Sequence, residues 1–140
     1  MADKLVIEIF KEKNAEEFTK ALAAPDSRLE TGSAAAVTAA VAMSLAARAA
    51  AACDQSGEKA QYIARNIETL RGYMVHLIDE DVKSRGPLRR AFKEGDARTI
   101  EAARQPAVCI DQEIINMMGQ ALELIAGLTE ICPKDSMHYV

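Results

Sequence analysis

Apolar positions recur along this chain at helical steps, in three long blocks. In the first of the two striped blocks, Ile63, Ile67, Leu70, Met74 and Leu77 alternate steps of four and three, the stripe that a helix turns toward a core. One further step of four reaches Asp81, so a carboxylate is expected on the apolar face near the helix end. Burial there is unfavourable unless something pairs with it. Ser56 reads as the cap of this helix, which is expected to run from about Gly57 to Ser84 and to break at Gly86-Pro87. The second striped block carries Ile110, Ile114, Met117, Ala121, Leu124, Leu128 and Ile131. Pro106 suits its first helical position and Cys132-Pro133 its end, while Asp96 caps a short helix from Ala97 to Arg104 before it.

The remaining block has no polar face. More than half of residues 31–53 are alanine, the strongest helix former, and no charge interrupts them before Arg48. An apolar helix of this kind is buried in a bundle or spans a membrane. Alanine inserts weakly into lipid, and Thr38, Ser44 and Arg48 break the run, so a buried core helix is expected, with Ser33 as its N-cap and Gly32 as the bend before it. Asn14, with Glu17 at the capping-box position, opens a further helix that Pro25 stops. Residues 5–10 read as an irregular or helical arm, since no strand partners them. Asp135 or Ser136 looks like the cap of another helix, yet the chain stops at Val140, which suggests a short form or a tail ordered by a partner.

The pattern sums to a single all-α domain over 1–140, a bundle of four to five helices around the Ala-rich one. So apolar a central helix calls for more cover than 140 residues supply, which points to a homodimer. Composition narrows the partners. A net charge of −4 and a pI near 5.2 argue against nucleic acid, and no signal segment is seen, so a cytoplasmic protein is expected. Cys53, Cys109 and Cys132 are widely spaced and suggest neither a disulfide framework nor a zinc site; reduced thiols are expected.

Few residues offer chemistry. Asp81 is the first candidate, as a general acid or base or as the partner of a cationic group; the plain alternative is that it pairs with a basic side chain or caps a neighbouring helix. Asp79, Glu80 and Asp81 diverge by about 100° each on a helix, so they do not share one metal ion and read as a solvated acidic turn. His76 and His138 stand alone, and Ser33 lacks the elbow of a nucleophilic serine. The start of the Ala-rich helix, at Gly32 and Ser33, offers amides to an anion or a polar ring. Lys83, Arg85, Arg89, Arg90 and Lys93 form a basic cluster that would attract a carboxylate-bearing ligand, or simply a solvated face.

Two stretches together resemble the cyclodeaminase/cyclohydrolase family, which holds the C-terminal domain of formiminotransferase-cyclodeaminase and the stand-alone methenyltetrahydrofolate cyclohydrolases. Glu-Thr-Gly-Ser-Ala-Ala-Ala at 30–36 is similar to the family's glycine-rich loop before an Ala-rich helix, and Leu-Ile-Asp-Glu-Asp-Val-Lys-Ser at 77–84 to its acidic motif at a helix end. Gly57-Glu58-Lys59 falls where the family has a Gly-Lys turn. The resemblance implies a dimeric helical fold and a reaction at the one-carbon bridge of a tetrahydrofolate derivative, with no tightly bound cofactor and no metal. It would make Asp81 the electrostatic partner or base and Lys59 the proton donor or substrate anchor. Gly32 and Ser33 would meet the ligand, and Arg85 or Arg89 its glutamate tail. The chain also departs from the pattern. Glu30 and Thr31 replace two loop glycines, Arg85 replaces an aromatic, and the last helix is largely missing. A non-catalytic dimeric relative that binds a small ligand or a protein is therefore the alternative.

Overall fold

The computed structural model describes residues 9–53 and 57–132. A 3-10 turn at Phe10–Glu12 leads into four helices: α1 (Ala15–Ala23), α2 (Thr31–Ala52), α3 (Glu58–Glu94) and α4 (Ala97–Ile131). Among the described residues there are no strands, and the molecule is an all-α bundle. α3 packs along both α2 and α4, which meet each other far less, and it also carries the 3-10 turn.

Local signals account for most boundaries. Asn14 accepts from the Glu17 amide while Glu17 reaches back to the Asn14 amide, the reciprocal box expected of α1. Asp96 accepts from the Thr99 amide and starts α4. α3 stops at Gly95, whose φ of 78° is the left-handed closure that glycine adopts without strain. The α3 stripe Ile63, Ile67, Leu70, Met74 and Leu77 is buried throughout, and Ile114, Ala121 and Leu128 of α4 face it from the other side.

Three expectations change. Pro87 and Pro106 neither end nor begin a helix, because α3 runs through the first to Glu94 and α4 through the second from Ala97. Each proline removes one backbone donor, leaving the carbonyl four residues earlier without its partner. Those carbonyls belong to Lys83 and Ala102, both solvent-exposed residues like the prolines themselves, a setting in which water can take the place of the lost bond. Second, Ser33 is not the N-cap of α2. The helix begins at Thr31 with Glu30 in the cap position, and no side chain of its own caps it. Third, the thiols are not all free: Cys53, at the end of α2, is disulfide-bonded to Cys132, at the end of α4, and Cys109 is free and exposed. Helix packing brings the two Cα atoms within 5.3 Å although 79 residues separate them, a closeness that spacing along the chain does not reveal.

α2 is long and apolar enough to cross a membrane by length and composition. Its Ala36, Ala40, Met43 and Ala50 pack into the core, while Val41 and Leu45 are exposed. The caps expected at Ser56, Asp135 and Ser136, residues 5–8 of the arm, and His138 lie outside the described residues.

Candidate functional site

The apolar stripe of α3 delivers Asp81 into the bundle with no solvent exposure at all. Its carboxylate meets the first turn of α2. Oδ2 accepts from the Ser33 amide at 2.8 Å and lies 2.8 Å from Ser33 Oγ, while Oδ1 accepts from Arg85 Nε at 3.2 Å. Ser33 Oγ also stands 3.1 Å from the Ile78 carbonyl oxygen; the carboxylate, nearer and charged, is the stronger acceptor for its one hydrogen. The third amide of α2 is one of the donors that a helix start leaves without an internal partner, so Asp81 caps α2 from a different helix. Gly32 makes the approach possible: a Cβ there would lie 2.6 Å from the Asp81 Cγ, closer than any side chain tolerates.

Arg85 extends this cluster to α4. One of its terminal nitrogens sits 2.7 Å from both carboxylate oxygens of Asp111. Burial pulls the guanidinium pKa down, but the hydrogen bonds and charges of Asp81 and Asp111 outweigh it, and it ends above its ordinary value. Glu30 completes the set, with Oε2 3.7 Å from Arg85 Nε and Oε1 3.1 Å from an Arg89 terminal nitrogen.

Asp79 repeats the device two residues earlier. It accepts from the amides of Phe10 at 2.8 Å and Lys11 at 3.3 Å and so caps the 3-10 turn. The acidic run is therefore no solvated turn. Asp79 and Asp81 are buried, and only Glu80 turns outward, with its carboxyl held below the usual range chiefly by a hydrogen bond from Lys83. Among the described residues no group of side chains is arranged to hold a metal ion.

Beside this closed cluster lies an open cleft of about 970 Å³, between the 3-10 turn, the loop before α2 and the last four turns of α3. Its apolar lining includes Ile9, Phe10, Val82, Pro87 and Phe92. Lys11, Arg28, Lys83, Arg89, Arg90 and Lys93 also line it, against only Asp26 and Asp79, in a chain that is acidic as a whole. Lys83 pairs with Glu80 and Arg89 with Glu30; Arg28, Arg90 and Lys93 form no ion pair among the described residues.

Of the residues singled out in the sequence, Asp81, Gly32, Ser33 and Arg85 come together, and Arg89 joins them through Glu30. Lys59 does not. It lies 22 residues before Asp81 on the same helix, about 33 Å away at the usual rise per residue, and is exposed against Glu130. The sequence does not mark Glu30 and Asp111 as members of the cluster, and it reads Asp79 as solvated. Only the departure of Glu30 from a glycine pattern offered a signal, because Asp111 reaches the cluster by tertiary packing.

The family described as formiminotransferase-cyclodeaminase matches this chain over residues 14–137, a span that includes the Asp81 cluster and most of the cleft. No curated protein and no solved structure matches it.

Proposed function

The chain belongs to the formiminotransferase-cyclodeaminase family, and on that premise we propose that it binds a tetrahydrofolate one-carbon derivative in the cleft beside α3. The observation that carries the reading is the cleft's make-up. A flat ring system suits walls such as Phe10, Pro87 and Phe92, and the carboxylates of a glutamate tail suit Arg28, Arg90 and Lys93. In this reading Asp81 serves the fold that shapes the cleft and does not touch the ligand. Its oxygens face three donors, it is fully buried, and the cleft is lined by its neighbours Asp79 and Val82 instead. The proposal thus takes the ligand-binding relative ahead of the cyclohydrolase or cyclodeaminase, in a homodimer. Exposed Val108, Ile115 and Leu122, one heptad apart on α4, supply an apolar seam for the second copy.

Catalysis at the one-carbon bridge is the second reading, favoured by the match across both the 30–36 and 77–84 stretches. It calls for a base other than a saturated Asp81, or for Lys59 brought in from a second copy. Two assays separate the readings. Stabilisation against heat by 5-formyltetrahydrofolate, with methenyltetrahydrofolate hydrolysed no faster than in buffer, is the expected result. Hydrolysis well above the spontaneous rate would establish the enzyme, and neither response would remove the folate assignment.

A further inference from the structure

Among the described residues, Glu30 has a position that no other acidic residue shares. It ends the loop whose Asp26, Ser27 and Arg28 line the cleft, and its two oxygens face Arg85 and Arg89, one turn apart on α3. Arg89 also lines the cleft, so the least exposed of the cleft's cations is already engaged by an anion of the protein itself. The Glu30–Arg89 pair is about one-third exposed on each side. Water therefore screens it, and such pairs exchange partners readily. Glu30 also stands where the resembled pattern carries a bare glycine.

We infer that Glu30 is an internal competitor for ligand carboxylates, which sets the charge a ligand needs before it can engage Arg89. The inference rests on the cleft being the ligand site. A monoanion gains too little at Arg89 to displace an attached carboxylate whose effective concentration is high. A ligand with two neighbouring carboxylates is held first by Arg28, Arg90 or Lys93 and then competes for Arg89 locally. Glu30 thereby tunes the site toward polyanionic ligands and against singly charged ones.

The test compares wild type with Glu30→Gln, which keeps the side-chain volume and removes the charge. Glu130→Gln, on α4 against the remote Lys59, controls for net charge. Calorimetric titration uses three probes, the dipeptide γ-glutamylglutamate, acetate and 5-formyltetrahydrofolate. Glu30→Gln is expected to bind the dipeptide about tenfold more tightly than wild type. Singly charged acetate is expected to gain proportionally more, and Glu130→Gln to change nothing. Glu30→Ala gives the same ordering if the glutamine disturbs the helix start. Equal dipeptide affinities in wild type and both Glu30 variants, or no dipeptide binding to any of them, overturn the inference. If the dipeptide responds as expected but 5-formyltetrahydrofolate binds no better than the dipeptide, the competitor stands and the folate reading falls.

Discussion

The Asp81 cluster and the cleft beside it are built from the same kinds of residue and do opposite work. In the cluster the charges of Asp81 and Arg85 on α3 and Asp111 on α4 face one another, and among the described residues no buried side-chain polar atom lacks a partner. In the cleft Arg28, Arg90 and Lys93 face solvent. A polar group whose bonds are all made inside the protein specifies the fold and has nothing left for a ligand. One that is exposed and unpaired contributes little to stability and remains available. Asp81 belongs to the first class because Ser33 and Arg85 occupy both of its oxygens; Asp79, two residues earlier, takes the Phe10 and Lys11 amides on Oδ1 alone and lines the cleft. The difference teaches that burial on an apolar stripe marks a residue as costly to replace without marking it as reactive.

Substitutions at the cluster break this contrast most severely. Asp81→Ala removes the acceptor for the Ser33 amide and hydroxyl and leaves Arg85 with one carboxylate fewer, a loss of about 3–5 kcal/mol in urea unfolding. A loss below about 1 kcal/mol would mean that the buried pairing is not what holds α2 to α3. Next comes the far end of α2. Replacing Cys53 and Cys132 with serine is expected to lower stability by about 2–4 kcal/mol, and reduction of the wild type to do the same. Ligand-induced heat stabilisation should survive, since the staple lies at the opposite end of α2 from the cleft. Gly32→Ala drives a methyl group into the Asp81 carboxylate and should cost about 1–3 kcal/mol by the same urea titration.

Charge reversal in the cleft sharpens the comparison from the other side. Arg90→Glu with Lys93→Glu is expected to leave stability within about 0.5 kcal/mol of wild type. The affinity for 5-formyltetrahydrofolate should fall by about tenfold or more, measured calorimetrically. A stability loss as large as that of Asp81→Ala would show that the two regions are not separate in function.

Much of this fold is legible in the sequence, because α3 and α4 carry regular stripes and Asn14 and Asp96 carry unambiguous caps. The stripe even places Asp81 inside. What periodicity does not carry is what Asp81 meets there. Its partners lie 48 residues away at Ser33, four away at Arg85 and, through Arg85, at Asp111. The two prolines mislead because a local rule assumes a helix that needs every bond, whereas α3 and α4 are held by packing along their length and place each proline on a wet face. The cleft is foreshadowed only as a basic run on α3. Its other walls, Ile9 to Lys11 and Asp26 to Arg28, are distant in the chain and meet it through the Asp79 and Asp81 caps. The Cys53–Cys132 pair is hidden for the same reason.

On the proposed function, ligand enters the cleft and leaves the Asp81 cluster untouched. Titrating 5-formyltetrahydrofolate into nitrogen-15-labelled protein and following the backbone amides tests it most directly. Saturable shifts gathered at residues 9–11, 26–28 and 82–93, with the Tyr62 to Tyr73 part of α3 unmoved, are the expected result. Shifts gathered at Gly32, Ser33, Asp81 and Asp111, or no saturable shifts at all, would contradict it.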